Sequence, residues 1–135
     1  MGKPSRDKGA SGERELARLL ADELGTAVTR NLAQSRSGGH DLDGCGPFAL
    51  EVKRAARATP ALRTRWWAQA REQADRAGLL PALAYRQDRA GWRFVLPLSA
   101  VAPGAFGPWA DDELVEVELS AFAAIVREGV GSPGA

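Results

Sequence analysis

The order of the elements predicts an α/β fold: a central mixed β-sheet flanked by helices. Two kinds of pattern carry this reading. Apolar residues recur at helical spacing over residues 11–24 and 65–77, and they alternate with polar ones over 48–53 and 114–119. A Gly-rich turn at Gly44 and Gly46 joins two short strand-like runs into a hairpin. The 135 residues, 44% hydrophobic and 26% charged, suit one domain with its own core. The expected organisation is a flexible basic arm over residues 1–10, one domain over 11–130 and a disordered tail over 131–135.

In chain order, Ser11 is the expected N-cap of a helix that ends at Gly25. At 100° per residue, Leu16, Ala17, Leu20 and Leu24 share an apolar arc. Glu13 falls inside that arc, whereas Glu15, Arg18 and Asp22 lie opposite. A first-turn acid on a core-facing stripe is either a half-wet rim residue or aimed at a site. Residues 26–32 are β-rich and predict the first strand, and residues 34–39 a polar loop. Residues 55–64 read as a basic connection containing Pro60. A helix follows over 65–77, with Trp66, Ala70, Gln73 and Ala77 on one stripe and Gln69 at its margin. Trp66 and Trp67 lie about 100° apart, so only one can face the core. Residues 81–86 and 92–98 predict two more strands around the turn Asp88-Arg89-Ala90-Gly91. Residues 99–110 read as a loop; its Phe106 and Trp109, with Trp66 or Trp67, are candidate apolar surface for a dimer contact. Residues 114–119 predict an edge strand whose Glu116 and Glu118 form a solvated face. Ser120 is the expected cap of a last helix over 121–128, with Phe122, Ile125 and Val126 as its apolar side.

The chemistry concentrates in residues 38–54, GGHDLDGCGPFALEVKR. In the second strand of the hairpin, Phe48, Leu50 and Val52 point one way, and Glu51 and Lys53 the other. Hairpin pairing brings Asp41 beside Glu51. Two carboxylates and a lysine on one edge are unfavourable unless a cation lies between the acids, and oxygen ligands suit a hard ion such as Mg²⁺.

Asp41, Glu51 and Lys53, with Gly12-Glu13-Arg14-Glu15 before them, Arg30 between and Trp67-Ala68-Gln69-Ala70 after, resemble the PD-(D/E)XK nuclease superfamily. Within it the order is similar to Holliday junction resolvases of the archaeal and phage type, over roughly residues 9–98. The pattern departs where His40 replaces the usual Pro before the Asp, a turn position and not a ligand in the family. The resemblance implies a restriction-endonuclease-like core and a metal-dependent DNA endonuclease. It implies Mg²⁺, with Mn²⁺ able to substitute, held by Asp41, Glu51, the Val52 carbonyl and Glu13. The implied catalytic set is Glu13, Asp41, Glu51, Lys53 and Gln69, although Gln69 reads equally as a boundary polar residue. The implied DNA contacts are Lys8, Arg30, Arg36, Ser37, Arg54, Arg57, Arg63 and Arg65, with Ser35 also a candidate. Branched or duplex DNA is the expected partner, and a symmetric homodimer the expected assembly. Two other readings stay open: another structure-specific or nicking nuclease of the superfamily, and a DNA-binding domain without catalysis.

Charge supports a polyanionic partner. Residues 1–76 hold 14 Lys and Arg against 10 Asp and Glu, whereas 77–135 hold 4 against 7. Six basic residues and no acid stand between Lys53 and Arg71. The single Cys45 cannot form an internal disulfide and reads as a small turn residue. The N-terminal residues lack the apolar core of a signal peptide, and no apolar run reaches membrane-spanning length. The expected location is the cytoplasm, or the host cytoplasm for a phage-encoded chain, with no membrane partner. No GxxxxGK[ST] or GxGxxG loop is present, and His40 has no Ser or Cys partner at triad-like spacing.

Overall fold

The computed structural model describes residues 2–31, 40–102 and 113–128, with side chains from residue 11 onward. The expected loop over 34–39, with Ser35, Arg36 and Ser37, lies outside the described residues, as do Phe106, Trp109 and the tail. Six strands of the described residues form one sheet in sequence order: β1 (Thr29–Arg30), β2 (Leu42–Asp43), β3 (Phe48–Ala55), β4 (Leu80–Gln87), β5 (Arg93–Pro97) and β6 (Leu114–Glu118). β3 and β4 pair in parallel over their whole length, and every other neighbouring pair is antiparallel. This is the α/β class with a mixed sheet that the element order predicts.

A parallel pair needs a crossover, and α2 (Pro60–Ala77) supplies it. The helix starts five residues earlier than the expected position. Thr59 is extended and its Oγ1 accepts the Leu62 N–H at 3.2 Å, which makes Pro60 the first helical residue. Proline at that position removes only an N–H that no helical carbonyl would have met. At the other end Gly78 is left-handed, at φ 69°. Its N–H reaches Asp75 O, and Leu79 N–H reaches Ala74 O, the pairing of a Schellman cap.

α1 runs from Gly2 to Leu24. The Ser11 cap is therefore corrected: the helix begins before Ser11, which lies inside it. Once a helix is nucleated, each added residue gains a hydrogen bond, and Pro4 in the first turn does not interrupt it. Among the described residues the first strand is Thr29–Arg30, within the β-rich run over 26–32, and these two residues pair with β2. α3 is a short helix, Leu98–Val101, at the start of the expected loop. α4 (Leu119–Glu128) begins one residue before Ser120, which is thus helical and not a cap.

The sheet has two buried faces. On one, Leu16 and Leu20 of α1 and Phe122 of α4 cover Phe48, Leu50, Val52, Ala82, Ala84, Phe94 and Leu96. The Phe94 and Phe122 rings stack with centroids 4.5 Å apart, and Phe48 tilts against Phe122 at 5.4 Å. Cys45 is fully buried in this core, more than a turn residue; burial first, and then Asp43, pushes its thiol up to about 12. Gly44, at φ +103°, makes the turn possible, since a Cβ there would sit 2.5 Å from the Ala27 carbonyl oxygen. On the other face, Trp66 and Ala70 of α2 pack on Leu83, Tyr85 and Val95. Glu15 accepts from both Trp92 Nε1 and Arg86, which ties α1 to the β4–β5 hairpin.

Glu116 is exposed on the edge strand, as expected, and it also has partners. It accepts from the Tyr85 hydroxyl at 2.8 Å and from Arg93 Nε at 3.0 Å, with Arg63 Nη1 3.9 Å away. Val95 and Glu116 share a register position, so Glu116 faces the α2 side and meets these groups. Glu118 is exposed, as expected of an edge strand.

Candidate active site

β3 builds the site by alternation. Leu50 and Val52 enter the α1 face of the sheet, so Glu51 and Lys53 project to the α2 face. In the parallel register Glu51 lies beside Leu83, and Lys53 beside Tyr85. Glu51 is 3% exposed and Asp41 6% exposed. The short β2 sets Asp41 against β3: its N–H donates to Leu50 O at 2.9 Å, and its Oδ2 accepts the Val52 N–H at 2.7 Å. In an extended strand a residue's C=O leaves by the same edge as its N–H, so the Val52 carbonyl also faces the Asp41 side.

Burial raises the Glu51 carboxyl well above the ordinary carboxylate range, and a hydrogen bond to Asp41 and the Asp41 charge raise it further. Lys53 acts in the opposite direction, and Glu13 adds to the rise. Glu51 Oε2 is buried with no hydrogen-bond partner among the described residues. A buried carboxylate pair with one unsatisfied oxygen fits a hard cation, which would favour the ionised form of both acids. Among the described residues no three or more His, Cys, Asp and Glu side chains cluster as a ligand set. Two carboxylates with backbone oxygen and water are a mix that suits Mg²⁺.

The remaining candidates divide. Glu13 sits on α1 with its side chain 12% exposed, and Arg30 Nε donates to it at 3.0 Å. Arg30 thus meets Glu13 at the rim of the site. Gln69 is half-buried on α2, on the flank opposite Arg63 and Trp67. Gln73, one turn further on, shares that flank, and its buried Oε1 has no partner among the described residues. Its position four residues after Gln69 on the same face was the available signal. Arg54 emerges on the α1 face, and its side chain lies close over Gly12: a Cβ on Gly12 would approach Arg54 Cδ to 2.7 Å. Arg57 and Arg65 are exposed. Arg63 instead lies near Glu116, where it lines a cavity of about 420 Å³ with Trp67 and Leu114. The Lys8 side chain, Arg36 and Ser37 lie outside the described residues. His40 is buried; its Nε2 meets Asp43 Oδ1, and its carbonyl accepts from Asn31 Nδ2 at 3.0 Å, which holds the chain entering Asp41. No helix among the described residues is long and apolar enough to cross a membrane.

Among solved structures, the chain is similar to Hjc, a Holliday junction resolvase from the archaeal hyperthermophile Archaeoglobus fulgidus. The two are 18% identical with a TM-score of 0.48, over 86% of this chain and 96% of that one. No curated protein matches. The family described as "Phage putative PDDEXK endonuclease" matches residues 4–106, which span α1, the Asp41–Lys53 hairpin and α2. The chain belongs to this phage PDDEXK endonuclease family.

Proposed function

We propose that the protein hydrolyses phosphodiester bonds of DNA with the help of a divalent cation. The buried Asp41–Glu51 pair, with Lys53 two residues on, carries this reading. Asp41, Glu51 and the Val52 carbonyl would hold the cation, Mg²⁺ or in its place Mn²⁺. When bound, such an ion supplies Lewis-acid polarisation of the phosphate and stabilises the leaving oxygen.

The chain's own groups do the rest. Lys53 projects beside Glu51, orients the attacking water, and offsets negative charge on the pentacovalent transition state. The Val52 N–H fixes one Asp41 oxygen, which leaves the other to face Glu51. Glu13, held by Arg30, sets the negative potential at the rim. Gln69 lies on the α2 flank toward β3 and helps position the substrate. Water adds to phosphorus, one P–O ester bond breaks, and the proton leaves with the departing oxygen or to solvent.

The proposed substrate is a four-way junction, cut by a symmetric dimer. The ordered motifs in the sequence support this choice, because two paired cuts need two sites related by a two-fold axis. Cleavage of a synthetic junction, a flap and a linear duplex, each with Mg²⁺ and with chelator, tests it. The proposal expects Mg²⁺-dependent cutting with the junction preferred, and light scattering at twice the 14.4 kDa chain mass. A monomer that cuts branched and linear DNA equally removes the junction assignment; no cutting under any condition removes the nuclease one.

A further inference from the structure

A second arginine surface lies apart from the basic run on α2. Between α1 and the edge strand β1 runs an open groove of about 480 Å³, lined by Arg14, Ala17, Arg18, Ala21, Val28, Thr29 and Arg30. Among the described residues its lining holds three arginines and no carboxylate. Arg14 and Arg18 are four residues apart, so both project from one face of α1, and both are exposed. Among the described residues neither has an ion-pair partner within 4.0 Å. Between them Ala17, Ala21 and Val28 make a low apolar floor that lets a sugar–phosphate backbone approach closely. At one end Arg30 donates to Glu13, whose charge is felt at Glu51. The groove therefore starts at the rim of the site and leads away from it.

We propose that this groove binds the phosphate backbone of duplex DNA next to the scissile bond, with Arg14 and Arg18 as its phosphate contacts. Charge complementarity selects the occupant: the Arg14 and Arg18 guanidinium groups, with Arg30 held by Glu13 at one end, stand beside a neutral floor and match successive phosphates of a backbone. The inference rests on the proposed nuclease function for its substrate, but its test is separate from cleavage.

The test is anisotropy of a labelled duplex in Ca²⁺-free, chelated buffer, titrated with wild type, R14A/R18A and the control R76A between 50 and 200 mM salt. Arg76 is exposed and paired with Glu72, remote from the groove lining. Each lost phosphate contact makes log K less steep in log salt by about 1, so R14A/R18A should be shallower by about 2 and weaker than wild type, the deficit growing about sixteenfold from 200 to 50 mM salt, with R76A unchanged. Melting of the double variant at the wild-type temperature confirms that exposed arginines, and not folding, are being measured. Affinity and slope equal to wild type in R14A/R18A would overturn the groove. So would a wild type that binds no duplex, which would also remove the nuclease reading. A wild type that binds with the predicted slopes but never cuts supports the groove and removes only the catalytic proposal.

Discussion

The two faces of β3 are made of the same eight residues and differ in everything else. Toward α1 and α4, Phe48, Leu50 and Val52 meet apolar side chains in a continuous core. Toward α2, Glu51 and Lys53 stand one strand from Leu83 and Tyr85, with Asp41 against the strand edge. One face is satisfied by packing alone. The other holds a buried acid pair that its neighbours leave short of a partner at Glu51 Oε2. The comparison separates stability from chemistry by single-residue steps along one strand: an i, i+1 change crosses from one role to the other.

Breaking the chemical face should give the largest effect. Asp41→Asn and Glu51→Gln are expected to lower single-turnover cleavage by at least about a thousand-fold, ~4 kcal/mol of transition-state stabilisation, while DNA affinity stays near wild type. Gel-based cleavage beside anisotropy measures both. Breaking the packed face should do the reverse. Leu50 is fully buried, so Leu50→Ala should destabilise by roughly 2–5 kcal/mol in denaturant melts. The folded fraction should still cut at the wild-type rate.

The same comparison shows how much could be read in advance. The alternation of β3 is visible in FALEVKR because strand periodicity needs no knowledge of neighbours, and that alone placed Glu51 and Lys53 together. Pairing of Asp41 with the strand followed from the short Gly-rich turn. Other features were hidden for identifiable reasons. Pro60 looked like an interruption, whereas behind the Thr59 cap it starts a helix. Glu116 is exposed, as its alternation implies, but nothing local to it shows that Tyr85, Arg63 and Arg93 converge there. Arg63 sat in a basic run and appeared equivalent to Arg57 and Arg65; helix phase sends it toward β6 instead. The groove of Arg14 and Arg18 exists only where α1 meets β1, and the periodicity of neither element shows how the two pack.

A smaller effect should appear in the pH dependence of stability without metal. The Glu51 carboxyl is raised in the folded protein, toward about 9, by burial and by Asp41. The folded state therefore keeps a proton that the unfolded chain gives up above the ordinary glutamate value. Its stabilisation is complete below that value and is lost as pH rises toward the raised one, by up to about 1.4 kcal/mol per pH unit. In chelated buffer, wild type should melt progressively lower from pH 6 to 9, and Glu51→Gln should lose most of that slope. A parallel slope in the variant would assign the dependence to another group. The smallest effect is expected at the rim. Glu13→Gln removes a charge that acts on Glu51 from α1, and should slow cleavage on the order of fivefold, ~1 kcal/mol. A wild-type rate there would return Glu13 to a structural partner of Arg30.

The division of β3 is tested most directly by measuring cleavage and melting together in three proteins: wild type, Glu51→Gln and Leu50→Ala, on a Mg²⁺-containing four-way junction. The account predicts that Glu51→Gln stays folded and bound to DNA without cutting, and that Leu50→Ala melts earlier yet cuts wherever it is folded. Cutting by Glu51→Gln at the wild-type rate would contradict it, and would place the chemistry away from this strand.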